Sequence, residues 1–223
     1  MRKVHRFFFA IFANEAAGNP CLPIHDTETM HKKEIAIFSG SFNPIHAGHL
    51  MLASYLCEFT YLDEVWLVVS PQNPLKEAGE LLEERCRLEM TAAAVAPYRN
   101  LKVSDVEFHL PRPSYTIETL DFLTAEYPGA RFTLIIGGDN WNQLPLWKEY
   151  ERLLASYPIL IYPRPGEAVV IPEGLRESVQ MVDAPLLEIS STFIRRSIRE
   201  GRDMRAFLPA EAYELIVQNG WYR

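Results

Sequence analysis

Two histidines, His46 and His49, close a segment rich in glycine, serine and proline at residues 39–49. They are three residues apart, so on an opening helical turn they share one face. Backbone N–H groups at a helix N-terminus favour anions. A glycine such as Gly40 lets a ligand approach the backbone closely. The segment is therefore predicted to bind phosphate without a lysine.

Two other interpretations of the histidine pair stay open on these residues alone. His46 and His49 could be a polar pair that starts a helix, or they could ligate zinc. The zinc interpretation is weak because no HExxH pattern and no nearby cysteine accompany them. The chain also lacks the Walker A pattern, and this segment lacks GxGxxG, so neither common nucleotide loop explains it.

A second candidate anion site lies far along the chain, at residues 190–195. Ser190, Ser191 and Thr192 precede an apolar pair and Arg195. Hydroxyl residues in this position are typical helix N-caps. The free N–H groups, the hydroxyls and the guanidinium of Arg195 are predicted to converge on one anion, since the arginine fork suits phosphate. The later arginines of this segment are expected to form a solvated face.

A third group, Gly137, Gly138 and Asp139, follows the most apolar run of the chain. An aspartate at the carboxyl end of a buried strand can accept hydrogen bonds from ribose hydroxyls, or it can cap a helix. Trp141, two residues later, could stack on a planar base or belong to the core.

Taken together, these segments resemble a known family. Residues 40–49 are similar to the GxFxPxHxGH signature of the nucleotidyltransferase superfamily, and residues 189–195 resemble its second signature, ISSTxIR. Residues 114–120 and 136–140, with Trp147 after them, extend the likeness to bacterial nicotinate mononucleotide adenylyltransferases. The resemblance runs from about residue 35 to residue 222.

The resemblance implies transfer of AMP from ATP to nicotinate mononucleotide in NAD biosynthesis, with Mg²⁺ bound together with ATP. It implies that His46, His49 and Arg195 are catalytic and contact the reacting phosphates. The implied ATP contacts are Gly40, Ser41, Phe42, His49, Gly137, Asp139, Ser190, Ser191, Thr192 and Arg195. The implied mononucleotide contacts are Asn43, Lys76, Thr116 and Trp141.

One departure from the family pattern concerns Asn43, because the family often has aspartate there. Asparagine keeps the size and an acceptor but loses the charge, which puts a carboxylate role in doubt. Three alternatives remain: an adenylyl- or cytidylyltransferase for another acceptor, such as nicotinamide mononucleotide or phosphopantetheine; a non-catalytic nucleotide-binding regulator; and the zinc protein.

The elements that must position these residues alternate between apolar strands and helices. Strands are predicted at residues 35–38, 65–69, 101–106, 132–136, 159–162 and 179–182, and helices at 49–59, 80–96, 114–126, 192–200 and 209–219. Strands that are apolar throughout favour a parallel sheet covered on both faces. We predict a Rossmann-like, doubly wound α/β fold with a small helical C-terminal part. In such folds the ligand binds beyond the carboxyl ends of the strands.

Composition sets the remaining expectations. Apolar residues make up 48% of the 223 and charged residues 23%, which is typical of a globular domain. The net charge of −7 argues against non-specific nucleic-acid binding. Three scattered cysteines indicate a reducing, cytoplasmic setting. We expect neither nucleic-acid nor membrane partners, and the oligomeric state stays open.

The N-terminus is predicted to lie outside the catalytic domain. Residues 1–33 are expected to be an extension, either disordered or upstream of the true start, and residues 34–223 the nucleotidyltransferase domain. A short apolar run at residues 7–12, after a basic start, leaves a cleaved signal peptide as the alternative.

Overall fold

The computed structural model describes residues 32–71, 81–185 and 187–223. Six strands form one sheet in the order β3-β2-β1-β4-β5-β6, and every neighbouring pair is parallel. The strands are β1 (Lys33–Gly40), β2 (Glu64–Val69), β3 (Leu101–Ser104), β4 (Ala130–Gly137), β5 (Ile159–Tyr162) and β6 (Val179–Met181). This is the strand order of the doubly wound dinucleotide-binding folds, so the predicted fold class is confirmed.

Seven α-helices accompany the strands within the described part of the chain. They are α1 (Ala47–Phe59), α2 (Glu84–Val95), α3 (Thr116–Glu126), α4 (Gly138–Gln143), α5 (Tyr150–Ser156), α6 (Ser191–Arg199) and α7 (Ala210–Asn219). The sequence did not predict α4 and α5. Both are too short to show a clear apolar period, and α4 is largely polar. The strand predicted at 101–106 ends at Ser104, and a 3₁₀ turn, Val106–Phe108, follows it.

The sheet separates two apolar cores, as the unbroken apolar strands predict. On one face, side chains of α1, α2, α6 and α7 pack together, with Leu56, Met90 and Ile194 fully buried among them. On the other face, α3, α4 and α5 pack on the sheet through Leu120, Trp141 and Leu153. The strand order reverses between β1 and β4, which lie side by side in the middle of the sheet. In folds of this kind the ligand binds in a crevice at the carboxyl ends of the two strands where the order reverses.

The N-terminal predictions fall mainly outside the described residues. Residues 1–31 lie outside them, so the extension and the signal-peptide alternative stay predictions. Lys33 already belongs to β1, one residue before the predicted domain boundary. No helix within the described residues is long and apolar enough to span a membrane.

Candidate active site

A cavity of about 640 Å³ opens at the carboxyl ends of the strands, where the fold places its crevice. We call its two walls the α1 side, formed by residues 40–49 and 190–195, and the α3 side, formed by Ser114, Tyr115, Thr116, Trp147 and Lys148. The cavity brings together most of the predicted contacts: Gly40, Ser41, Phe42, Asn43, His46, His49, Thr116, Asp139, Ser190, Ser191, Thr192 and Arg195. Gly137 and Trp141 do not line it. Lys76 lies outside the described residues.

The two histidines meet at the N-terminus of α1. His46 is the N-cap, with φ −144°, and its backbone N–H donates to Nδ1 of His49 over 3.2 Å. The imidazole rings stack with their centroids 3.6 Å apart. The ring of His49 also packs edge-on against Phe42 at 5.1 Å. The helix start predicted by the spacing is therefore present, and the rings form one unit on the α1 side.

His46 is neutral in the ligand-free chain. Its side chain is buried, and this burial lowers its pKa to about 4, with a further contribution from the positive charge of Arg164. Desolvation disfavours the charged imidazolium, and a nearby cation acts in the same direction. At neutral pH, His46 can therefore offer a ligand one N–H donor but no positive charge.

The segment between β1 and α1 is held in a conformation that isolated residues avoid. Phe42 has a φ of +43°, in the left-handed region, and its ring is buried. Such a position costs on the order of 1–3 kcal/mol and persists only where the surroundings impose it. Arg87 is one of those surroundings. Its fully buried guanidinium donates to the carbonyl oxygens of Ser41, Ser70, Pro71 and Leu82 over 2.6–2.8 Å.

Arg195 supports the same segment from the opposite direction. Its Nη1 donates to the carbonyl oxygen of Asn43 over 2.9 Å, and Ser191 Oγ donates to the carbonyl oxygen of Pro44 over 2.9 Å. The sequence predicted phosphate contact for both residues. They do line the cavity, but each also ties the second signature to the first. Ser190 caps α6 as predicted, since its Oγ accepts from the backbone N–H of Phe193.

Asn43 lines the cavity, where a mononucleotide contact was predicted for it, and it also has a role in the framework. Its Oδ1 accepts hydrogen bonds from the hydroxyl of Tyr222, at 2.8 Å, and from the backbone N–H of Leu82, at 3.2 Å. Asn43 is buried and joins the C-terminal tail to the catalytic segment. The amide oxygen of Asn43 accepts from both donors, so this contact needs an acceptor oxygen but no negative charge.

Asp139 and Arg164 face each other at the edge of the cavity, after β4 and β5. Arg164 Nε lies 3.7 Å from Asp139 Oδ1, and Arg164 Nη2 donates to the hydroxyl of Tyr162 over 2.9 Å. Gly137 lies behind them. A Cβ there would come within 2.3 Å of Asp139 Oδ1, so Gly137 makes room for that side chain instead of lining the cavity. Sequence reasoning missed Arg164, although its position two residues after the end of β5 was an available signal.

The two tryptophans lie in different places: Trp141 takes the core position that was the alternative to base stacking, and for Trp147 the sequence predicted no role beyond the family resemblance. Trp141, predicted to stack on a base, lies in the core of the α3 face, where its Nε1 donates to the carbonyl oxygen of Val170 over 3.1 Å. Trp147 lines the cavity instead, and its buried Nε1 has no hydrogen-bond partner among the described residues. Beside it, the ammonium of Lys148 lies 4.5 Å from the ring centroid of Tyr115. These side chains give the α3 side an aromatic surface.

The site offers few ligands for a directly bound metal. Among the described residues, no three His, Cys, Asp or Glu side chains lie where they could hold a metal ion together. His46 and His49 therefore gain no further ligand for zinc from this part of the chain.

Comparisons with known proteins agree with this geometry. A family model described as cytidylyltransferase-like matches residues 37–197. A Bacteroides fragilis protein named "Probable nicotinate-nucleotide adenylyltransferase" is 51% identical over 189 residues, which cover 85% of this chain and 94% of that protein. A Flavobacterium johnsoniae protein of the same name is 43% identical, covering 85% of this chain and 99% of its own length.

A solved structure adds evidence on the fold. It is the Plasmodium falciparum nicotinic acid mononucleotide adenylyltransferase complexed with NaAD, with a TM-score of 0.71 and 21% identity over 85% of this chain and 97% of that one. At this identity the likeness establishes the fold alone. The family model and the sequence relatives establish more than the fold, because they match most of the chain. The chain belongs to the cytidylyltransferase-like family and, within it, to the nicotinate-nucleotide adenylyltransferases.

Proposed function

We propose that the chain transfers the AMP part of ATP to the phosphate of nicotinate mononucleotide, giving nicotinate adenine dinucleotide and pyrophosphate in NAD biosynthesis. One observation carries the proposal. A single cavity has the His46–His49 pair and the N-terminus of α6 on its α1 side, and Thr116 with Trp147 on its α3 side. The first wall suits a triphosphate, and the second suits an acidic aromatic ring.

On the α1 side, we assign the triphosphate and ribose of ATP to the predicted residues. Ser41 lines the cavity, and its buried Oγ makes no hydrogen bond to a described residue, which leaves it able to bond a ligand. The free N–H groups that open α6 favour an anion, and Asp139 can accept from ribose hydroxyls. Lys76, which was predicted to contact the mononucleotide, lies outside the described residues and stays a prediction.

On the α3 side, we place the nicotinate ring against Trp147 and its carboxylate at the N-terminus of α3, where Thr116 is the first helical residue. An eleven-residue helix presents unpaired N–H groups at this end, and these favour an anion. The neutral carboxamide of nicotinamide mononucleotide would gain less from this position. The names of the curated relatives agree with an acidic acceptor.

The reaction needs no protein nucleophile. The mononucleotide phosphate is already an anion near neutral pH, so it can attack the α-phosphorus of ATP directly while pyrophosphate leaves. Catalysis then consists of holding the two phosphates in line and stabilising the charge that develops. His49 and the neutral His46 donate N–H groups to the reacting phosphates, and Arg164 and Arg195 supply positive charge at the edge of the cavity.

A divalent cation fits this site as a companion of ATP. Mg²⁺ prefers oxygen ligands, keeps several waters and is commonly held through substrate phosphates. The described residues contain no group of carboxylates that would replace those ligands. We therefore propose that Mg²⁺ arrives with the triphosphate, whose charge it would neutralise, and that the carboxylate of Asp139 in the cavity wall would accept hydrogen bonds from its water shell.

The proposed reaction is tested by pyrophosphate release from ATP with nicotinate or nicotinamide mononucleotide as acceptor. We expect a clear preference for the nicotinate form. A preference for nicotinamide mononucleotide would overturn the acceptor but not the chemistry. ATP binding without pyrophosphate release on either acceptor or on phosphopantetheine would instead indicate a regulator.

The role of His49 is tested by His49→Ala in the same assay. Loss of a donor that acts mainly in the transition state lowers the rate by about 10²–10³, and we expect kcat/KM to fall by that factor. A kcat/KM within a few-fold of the unmodified chain would refute the assignment. We also propose a reducing, cytoplasmic location, since Cys57 and Cys86 are both free thiols.

A further inference from the structure

Glu107 is a buried carboxylate in the wall of the cavity that the proposed reaction does not use. Only 4% of its surface is exposed. It accepts hydrogen bonds from three serine hydroxyls: Ser39 Oγ at 2.9 Å, Ser70 Oγ at 2.7 Å and Ser114 Oγ at 3.0 Å. All four residues line the cavity. The carboxylate therefore organises a closed polar cluster, and no described residue forms an ion pair with it.

The three serines belong to elements that are far apart in the sequence. Ser39 lies in β1, Ser70 directly follows β2, and Ser114 precedes α3 by two residues. Glu107 itself lies in the 3₁₀ turn after β3. Its bonds to Ser39 and Ser70 fix Glu107 to the carboxyl ends of β1 and β2. Its bond to Ser114 fixes the start of α3 to the same place.

A carboxylate suits the chemistry of the cluster. Each serine hydroxyl has one proton and lies within hydrogen-bond distance of one side chain that only accepts when ionised, and Ser39 Oγ and Ser70 Oγ also lie 3.0 Å from each other. A glutamine has the same shape but turns one acceptor oxygen into an amino group, which donates. The amino group of the glutamine would face serine hydroxyls that donate to the native carboxylate. At least one of the three hydrogen bonds would therefore be lost, or its donor and acceptor reversed.

We infer that Glu107 is a positioning residue for the α3 side of the active site, and that it sets the affinity for the mononucleotide while leaving the affinity for ATP unchanged. The inference rests on the proposed function for the identity of the acceptor. Ser114 is two residues from Thr116, so releasing it displaces the N–H groups that open α3. The α1 side has further supports of its own, since Arg87 donates to the carbonyl oxygen of Ser41 and Arg195 donates to that of Asn43.

The experiment compares Glu107→Gln, Ser114→Ala and the matched control Glu126→Gln with the unmodified chain. Glu126 is exposed at the far end of α3, so its charge can be removed without reaching the cavity. Pyrophosphate release gives KM for each substrate and kcat, and titration calorimetry gives the affinity for each substrate alone. For Glu107→Gln we expect KM for the mononucleotide to rise on the order of tenfold, as loss of a charged hydrogen bond predicts. We expect KM for ATP to stay within twofold.

Ser114→Ala removes only one donor and should produce a smaller change of the same kind, while Glu126→Gln should change neither constant. Equal rises in both KM values, a fall in kcat alone, or no change would overturn the positioning role. If Glu107→Gln does not fold, Ser114→Ala decides by the same criterion. If the unmodified chain prefers another acceptor, the proposed function fails, and the comparison is made with that acceptor. If it turns over none, the calorimetric affinities decide.

Discussion

The neutrality of His46 leads to a prediction about stability against pH. Burial lowers the pKa of His46 from 6.5 to about 4 in the folded chain. Between these two values the unfolded chain binds a proton that the folded chain does not, so the free energy of unfolding must fall as the pH falls through this window. Each pH unit of difference corresponds to about 1.4 kcal/mol. From pH 7 to pH 5, His46 should therefore remove about 2 kcal/mol of stability.

The assay is urea unfolding at pH 7 and pH 5 of the ligand-free chain, its His46→Asn variant and its His109→Asn variant. Other groups also titrate in this range, so the informative quantity is the difference between the variants in how much stability they lose. His46→Asn should lose about 2 kcal/mol less than the unmodified chain, because it has no imidazole to protonate. His109, which is exposed and has its Nε2 3.2 Å from Asp105 Oδ2, serves as the matched control.

The reasoning is refuted if His46→Asn and the unmodified chain lose the same stability to within about 0.5 kcal/mol, the precision of such comparisons. That result would mean that the imidazole accepts a proton in place, and His46 would then be available as a cation for the phosphates. An equal effect in His109→Asn would show that the change does not depend on burial.

Two further predictions each compare a substitution at or beside the cavity with a matched substitution away from it. Gly48→Ala places a Cβ 3.2 Å from ring atoms of His46. Because this misaligns one hydrogen-bond donor, we expect kcat/KM to fall by roughly tenfold. In the control, Gly129→Ala, the new Cβ meets no atom within 4 Å, so we expect no change in kcat/KM. An unchanged Gly48→Ala enzyme would show that the ring position is not critical. Trp147→Ala should raise KM for the mononucleotide by roughly tenfold through lost stacking with little change in stability, whereas Trp141→Ala should lower stability by about 3–5 kcal/mol. Calorimetric melting and steady-state kinetics on both variants check this, and the reverse pattern would contradict the assignment.

The strands and the two signature segments are the features that the sequence alone predicts best. The strands are apolar throughout because both of their faces are covered, and that property is readable without coordinates. The spacing of His46 and His49 predicts a shared helical face because neighbours three residues apart meet on any helix. The hydroxyl residues before Arg195 predict a capped helix because a cap bonds only to the N–H groups of the first helical turn, and the structure confirms the cap at Ser190.

Other roles depended on contacts between residues far apart in the chain. Asn43 meets Tyr222 across 179 positions, and Arg195 meets Asn43 across 152. Neither pairing leaves a local pattern, so the sequence did not predict that Asn43 joins elements of the framework. Trp141 and Trp147 are six residues apart in a polar, irregular stretch, and only the packing of α4 decides which of them enters the core.

The sequence by itself therefore determined the fold class, the family and the two segments that meet at the cavity, because each is encoded in local spacing or in burial on both faces of a strand. Only the tertiary structure decided which polar side chains face the cavity and which hold its walls. Glu107 and Arg87 belong to the second group. Buried polar groups must find partners wherever the fold brings them, and those partners are set by distance in space rather than by position in the chain.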